Sequence, residues 1–208
     1  MALARDRERA QRQLVRWSAR TARDPLFPTE IQIGIAGEVF VGQALGRLPS
    51  DSWRVLHGVQ WPSGSDIDHL VIGPPGVFTV NSKHHADASV WVGDAMLRVD
   101  GRSTDYLRSS MNEARRVARL LLKRCGWAVP VRPVIAVVGA RWIRIEADVP
   151  SVSVLDGATV DQFVTRLPAT LTTEQVGSVF EVARRKRVWS ESGGRGSASI
   201  PPPTSPAQ

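Results

Sequence analysis

Two apolar runs on either side of a turn sequence form the most regular hydrophobic pattern in the chain. Leu70 to Ile72 and Val77 to Val80 flank the segment Gly73-Pro74-Pro75-Gly76. Runs rich in β-branched residues around a Gly/Pro turn are typical of a β-hairpin. The pattern therefore predicts two antiparallel strands that turn at residues 74 and 75.

Polar residues gather at the open end of this hairpin. Asp66 and Asp68 begin the first strand and lie two residues apart, so their side chains face the same side. The second strand ends in Asn81-Ser82-Lys83, and the turn sets Asp68 opposite Asn81. An acid, an amide and a lysine then meet at one end of a sheet, either as a functional site or as an ordinary cross-strand ion pair.

The remaining hydrophobic periodicity predicts helices on either side of a mixed sheet. A helical pattern starts at Thr29, strand patterns cover residues 53–59 and 131–138, and a basic helix covers residues 105–124 before Gly126. Further elements are expected as a second hairpin at 90–99, a strand at 151–155, and helices at 158–167 and 172–187, the last with capping-box spacing at Thr172 and Gln175. The order predicts an α/β, or α+β-like, fold with a mixed central sheet and flanking helices.

The helix that starts at Thr29 carries an acid among glycines. Gly34, Gly37 and Gly42 each cost a helix about 1 kcal/mol relative to alanine, so their presence indicates close approach to another backbone. Glu38 lies on the same face as Gly34 and Gly42. A carboxylate held there is unfavourable unless a cation meets it, which makes Glu38 a candidate site residue.

The 208-residue length fits one domain with tails. Residues 1–24 hold seven arginines against three acids and predict a basic helical segment, residues 29–188 form the main domain, and the Gly/Ser/Pro-rich residues 189–208 predict a disordered tail. A single cysteine, Cys125, excludes a disulfide framework and a cysteine-based zinc site. It is expected as a buried free thiol, which suits a reducing compartment.

The net charge of +7 suits a polyanionic partner such as nucleic acid. No apolar run is long enough to span a membrane, and the charged N-terminus does not resemble a secretory signal, so the cytoplasm is the expected compartment. The sequence leaves the oligomeric state open.

Three ordered motifs resemble the nuclease-related domain (NERD) family, which has a PD-(D/E)xK nuclease-like fold. They are Gly34-Ile-Ala-Gly-Glu38, Ser65-Asp-Ile-Asp68-His-Leu-Val-Ile-Gly73 and Gly76-Val-Phe-Thr-Val-Asn81-Ser-Lys83. The resemblance implies a restriction-endonuclease-like αβββαβ core over roughly residues 30–140. It also implies a metal-dependent hydrolase that cuts phosphodiester bonds of DNA or RNA.

Carried over by motif, the resemblance makes Asp68 the metal-binding aspartate, Lys83 the lysine beside the attacking water, and Glu38 the helical glutamate. Mg²⁺ or Mn²⁺ is the implied cofactor, because phosphodiester hydrolysis uses hard cations held by oxygen ligands. The expected ligands are Asp68, Asn81, the backbone carbonyl of Ser82, and Glu38. Asn81 departs from the family pattern, which usually has Glu and sometimes Gln there, and it supplies one negative charge fewer than Glu.

Histidines surround these motifs. His85 is two residues from Lys83 and shares its face, so it is a candidate neighbour of the site. His69 and His84 are expected to be structural or exposed.

Three functions stay open at this point. The first is a metal-dependent nuclease, supported by Glu38, Asp68 and Lys83. The second is a catalytically impaired nucleic-acid-binding module, suggested by Asn81. The third is an interaction or membrane-peripheral protein that uses the arginine-rich segment at residues 1–24.

Overall fold

The computed structural model describes residues 29–148 and 150–190. Its helices are α1 (Thr29–Leu45), α2 (Tyr106–Cys125), α3 (Val160–Arg166), α4 (Thr173–Ala183) and α5 (Lys186–Ser190), with a 3-10 turn at Gly157–Thr159. Its strands are β1 (Arg54–Gln60), β2 (Asp66–Gly73), β3 (Gly76–His84), β4 (Ser89–Val92), β5 (Leu97–Val99), β6 (Arg102–Thr104), β7 (Val131–Val138), β8 (Trp142–Ile145) and β9 (Ser153–Asp156).

The first sheet has five strands in the order β1-β2-β3-β7-β9. β1, β2 and β3 pair antiparallel, whereas β7 pairs parallel with both β3 and β9. The predicted hairpin is confirmed, because Gly73 pairs with Gly76 and the turn falls at residues 74 and 75. This mixed sheet with helices packed on it is the α/β architecture that the sequence predicts.

Helices cover both faces of the first sheet. On one face, α1 and α3 pack against a core that includes Val71, Phe78 and Val134. On the other face, α2, α4 and α5 pack against a core that includes Leu70, Ile72 and Val77. The alternation of side chains along β2 and β3 sends successive residues to these two cores.

The second sheet has four strands in the order β6-β5-β4-β8. It continues the first sheet past a bend, since β3 and β7 are parallel neighbours and lead into β4 and β8, which are parallel neighbours again. The segments that follow β3 and β7 remain paired through the bend. The backbone amide of His85 donates to the carbonyl of Val138, and the amide of Asp87 donates to the carbonyl of Gly139. The polar end of the predicted hairpin lies at this bend.

The glycines of α1 differ in their surroundings. A Cβ on Gly37 would lie 3.2 Å from the Cβ of His84, at the end of β3. A Cβ on Gly34 would have no described atom within 4 Å. The predicted close approach of backbones therefore occurs at Gly37 and not at Gly34.

The helical predictions hold closely, except that the single helix expected at 172–187 is divided into α4 and α5. α2 ends at Gly126, whose positive φ of 80° is the expected left-handed cap. Thr172 and Gln175 form the predicted capping box of α4. α5 runs to Ser190 and buries Trp189 against Trp61, so the predicted start of the tail at residue 189 falls inside a helix.

Two strands were missing from the prediction, namely β6 and β8. β8 is short and mostly exposed, and its sequence does not alternate between apolar and polar residues. Its strand geometry comes from pairing with β4. Cys125 is partly buried, less than expected, and it is a free thiol. In the described ranges, no helix has the length and apolar content that crossing a bilayer requires. The predicted basic helix at residues 1–24 lies outside the described residues.

Candidate functional site

Asp68 lies at the bend, where β2 begins and β3 ends. Its Oδ2 accepts a hydrogen bond of 2.6 Å from the backbone amide of Ser82. Asp68 is therefore held against the segment that carries Asn81 and Lys83, as the hairpin register predicts. Burial raises the pKa of Asp68 to about 6, although the Ser82 amide and the Lys83 ammonium both favour the charged form.

Asn81 faces α2, where it meets an acid that the motifs do not include. Its Nδ2 donates a hydrogen bond of 2.8 Å to Oε1 of Glu113. The pKa of Glu113 is raised to about 7, mainly by burial; the Asn81 hydrogen bond opposes the shift and the charge of Asp68 adds to it. A carboxylate from α2 thus stands beside the position where the family pattern has its acid.

Glu38 reaches the same region from α1, on the other face of the sheet. Its pKa is raised to about 8, first by burial and then by the charges of Asp68 and Asp66, with Lys83 acting in the opposite direction. The charges of Asp66 and Asp68 also act on Glu113. The charges of Asp66 and Asp68 therefore act on a carboxyl group from each of two helices, Glu38 of α1 and Glu113 of α2.

Lys83 is positioned by an aromatic ring at the start of α2. Its Nζ lies 5.3 Å from the centroid of the Tyr106 ring, which is a cation–π distance. His85 stacks on the same ring with centroids 5.8 Å apart, so it neighbours Lys83 as predicted. Burial and the charge of Lys83 lower the pKa of His85.

His69 is fully buried and belongs to a pair of histidines behind the site. Its Nδ1 lies 2.7 Å from Nδ1 of His57 on the neighbouring strand. Burial lowers the pKa of both rings, to about 4 for His57, so the pair is neutral at pH 7. The Nε2 atom of His69 lies 3.5 Å from Oγ of Ser82, and the backbone of Glu38 acts in the opposite direction on the pKa of His69. His84 is half-buried and faces Gly37.

Comparison with known families identifies the region that contains these residues. Residues 33–138 match NERD, the nuclease-related domain, over just over half of the chain. The chain belongs to the NERD family. The matched region of this NERD domain begins in α1 and ends with β7, so it contains Glu38, the hairpin and Glu113. No curated protein and no solved structure matched the chain.

The NERD fold family implies a divalent cation, and the side chains can be tested against that. Across residues 29–148 and 150–190, no three His, Cys, Asp or Glu side chains are grouped closely enough to hold a metal ion. Two of the candidate carboxylates accept hydrogen bonds from amide groups. Asp68 accepts one from the backbone of Ser82, and Glu113 accepts one from the side chain of Asn81. The donor chemistry nevertheless fits, because carboxylate, amide and carbonyl oxygens suit Mg²⁺ and Mn²⁺. Burial is the main cause of the three raised carboxyl pKa values and repulsion between the acids adds to it, so a bound cation would favour the charged forms of all three.

Sequence reasoning missed Glu113 and Tyr106. Glu113 is the single acid in α2, among basic residues at positions 108, 115, 116, 119, 123 and 124. A lone acid on the basic face of a helix was the available signal. Its position beside Asn81 depends on how α2 packs on the sheet, which periodicity does not determine.

Proposed function

We propose that this NERD protein is a divalent-cation-dependent nuclease that hydrolyses phosphodiester bonds of nucleic acid, DNA or RNA. The observation that carries the proposal is the hydrogen bond between Asn81 and Glu113. It brings a carboxylate of α2 beside the position where the resemblance expects an acid, and this supports the proposal. The cytoplasm, as the sequence predicts, is the compartment that goes with this proposal.

The proposed ligands are the carboxylates of Asp68 and Glu113, the Oδ1 atom of Asn81 and the backbone carbonyl of Ser82. The carboxylate of Glu38 contributes negative charge near the proposed cation site, and it is a further candidate ligand. A bound Mg²⁺ or Mn²⁺ would neutralise the phosphate and lower the pKa of a coordinated water. Because the Nδ2 atom of Asn81 donates to Glu113, the side-chain oxygen of Asn81 is the atom that remains for a cation.

Lys83 has the electrostatic role in this proposal. A lysine beside the scissile phosphate stabilises the negative charge that develops on phosphate oxygens and orients the attacking water. The Tyr106 ring limits the ammonium to one side of the site, so less side-chain entropy is lost when the substrate binds.

A catalytically impaired binding module is the second candidate function. The observation that favours it is the absence of any grouping of three metal-binding side chains among the described residues. In that case the carboxylates would be remnants of a site, and nucleic acid would bind through basic residues alone.

Cleavage of supercoiled plasmid with Mg²⁺ or Mn²⁺ separates the two candidates. We expect activity in the natural protein and losses of at least about 100-fold in Asp68→Asn, Glu113→Gln and Lys83→Met, since each variant removes a charge acting in the transition state. Glu174→Gln is the matched control, because Glu174 is an exposed acid on α4. Cleavage that persists in Asp68→Asn comes from a contaminant.

Calorimetric titration with Mn²⁺ gives a readout besides activity. We expect binding by the natural protein and by Glu174→Gln, with affinity at least about tenfold weaker in Glu113→Gln and in Asp68→Asn. Mn²⁺ binding that is unchanged in Glu113→Gln removes Glu113 from the ligand set. Absence of both Mn²⁺ binding and cleavage favours the binding module.

A further inference from the structure

We propose that the exposed face of α2 is a phosphate-binding track, along which the backbone of a nucleic-acid strand runs towards the carboxylates. This inference deepens the proposed function, because the track leads to the same site. Its residues are Arg108, Arg115, Arg119 and Lys123, and Arg116 lies beside them on the helix, one turn from Glu113.

The first argument is helical geometry. At about 100° per residue, Arg108, Arg115 and Arg119 fall within a band of about 40° on one side of α2, with Lys123 next to it. All four side chains are exposed. At about 1.5 Å per residue, the three arginines extend over about 16 Å of helix, which is the reach of several phosphates on one strand.

The second argument is the lack of counter-charges. The ion pairs given by the structure join Arg47 to Asp161, Arg141 to Asp87, Arg144 to Glu146 and Arg184 to Glu181. Within the part of the chain that the structure describes, none of the four track residues has an ion pair or hydrogen bond through its side chain. The single acid of α2, Glu113, is hydrogen-bonded to Asn81. The charge of the track is therefore available to an external anion.

The third argument is that Arg116 is held in place. Its guanidinium carbon lies 3.7 Å from the centroid of the Trp61 ring, and its Nη1 donates to Oγ of Ser63 at 3.2 Å. Trp61 and Ser63 belong to the loop that leads into Asp66 at the start of β2, and Arg116 lies one helical turn from Glu113. A pre-positioned, half-buried guanidinium one helical turn from Glu113 is suited to hold a phosphate at that end of the track.

Nucleic acid suits this surface better than an anionic membrane. Helices that bind in the membrane interface insert an apolar face among the lipids. The apolar face of α2 is used for packing, since Leu107, Ala114, Val117 and Leu121 are buried. Leu122 is the one large apolar side chain that α2 exposes, at 49%. A single leucine does not provide an inserting face.

The test compares two triple variants of the full chain with equal change in charge. The track variant is Arg108→Ala, Arg115→Ala, Arg119→Ala. The control variant is Arg98→Ala, Arg102→Ala, Arg166→Ala, which removes exposed arginines of β5, β6 and α3. Binding to a labelled duplex and to the same strand alone is measured in EDTA over a series of salt concentrations.

We expect the track variant to bind at least about tenfold more weakly at low salt, with the slope of log affinity against log salt reduced by about 2 to 3. The control variant should change affinity by less than about threefold. Equal losses in both variants, or no loss in the track variant, would overturn the proposal. So would a track variant that still binds DNA but no longer binds vesicles containing phosphatidylserine, since the partner would then be a lipid surface.

Measuring in EDTA keeps this test separate from catalysis. A protein that binds DNA through the track but never cleaves it with Mn²⁺ leaves the track standing and removes the proposed nuclease function. A protein whose cleavage needs Asp68 but whose DNA binding is the same in both triple variants keeps the nuclease function and loses the track.

Discussion

The side-chain amide of Asn81 donates a hydrogen bond of 2.8 Å to the carboxylate of Glu113. Asn81 is the residue that departs from the family pattern, and Glu113 is an acid that lies outside the three sequence motifs. An acid at position 81 would face Glu113 directly, so an amide at 81 and a carboxylate at 113 are complementary. The pair shows why an asparagine is stable at a position where the NERD pattern has an acid.

Replacing the amide tests that complementarity. In Asn81→Asp we expect the free energy of unfolding in EDTA to fall by about 1 to 3 kcal/mol, because a half-buried donor is lost and a like charge faces Glu113. Saturating Mn²⁺ should recover most of this loss, since a cation between two carboxylates is favourable. Urea unfolding with EDTA and with Mn²⁺ measures both quantities.

Asn112→Asp is the matched control for this substitution. Asn112 is exposed on α2, next to Glu113 in sequence, so the same change should alter stability by less than about 0.5 kcal/mol. If the two variants lose stability equally in EDTA, the hydrogen bond to Glu113 contributes nothing measurable.

Tyr106 is expected to act as a positioning residue for Lys83. Tyr106→Phe keeps the ring beneath the ammonium, whereas Tyr106→Leu removes the cation–π contact, which is worth about 0.5 to 1 kcal/mol at a partly exposed site. We expect kcat for oligonucleotide cleavage to fall severalfold in Tyr106→Leu with little change in KM, and to be retained in Tyr106→Phe. A drop of the same size in both variants would point to the hydroxyl instead of the ring.

The raised carboxyl pKa values predict a loss of stability in mild alkali. Glu38 and Glu113 have folded pKa values of about 8 and about 7 against an ordinary value of 4.5. The folded protein therefore keeps protons that the unfolded chain has released, so this stability is complete below about pH 4.5 and is lost as the pH rises through 7 and 8. Without a divalent cation, we expect Tm to fall between pH 6.5 and 8.5.

His57 limits that comparison to pH 6.5 and above. Its folded pKa of about 4 lies below the ordinary 6.5, so its contribution to stability is present above pH 6.5 and is lost as the pH falls towards 4. Between pH 6.5 and 8.5 the carboxyl groups dominate the change. Glu38→Gln should flatten the Tm profile in this range, whereas Glu174→Gln should follow the natural protein. A steep profile in Glu38→Gln would show that Glu38 is not its source.

The two glycines of α1 predict opposite effects of the same substitution. Gly34→Ala should stabilise the protein by about 0.5 to 1 kcal/mol, because the helix gains propensity and no described atom lies near the new methyl group. Gly37→Ala should destabilise it by about 1 kcal/mol or more, because the new Cβ would lie 3.2 Å from the His84 Cβ of a paired strand. Chemical unfolding of the two variants side by side measures the difference. Stabilisation by both would mean that β3 moves away from α1 at little cost.

The sequence by itself determined the elements whose information is local. The hairpin at residues 74 and 75, the amphipathic helix before Gly126 and the capping box at Thr172 each rest on residues a few positions apart, and each is confirmed. The same local register placed Asp68 beside the strand that carries Asn81 and Lys83, because pairing in a tight hairpin follows from its turn.

Only the tertiary structure decided which helical residues complete the site. Glu113 is separated from Asn81 by 32 positions, and Tyr106 meets Lys83 from the same helix. Their contacts depend on how α2 docks on the sheet, which is set by the packing of Val117 and Leu121 in the core and not by any spacing along the chain. The strand conformation of β8 likewise depends on its pairing with β4. Long-range packing selects among arrangements that local patterns leave equally allowed. The sequence therefore determined the hairpin side of the site, and the packing of α2 added Glu113 and Tyr106 on the other side.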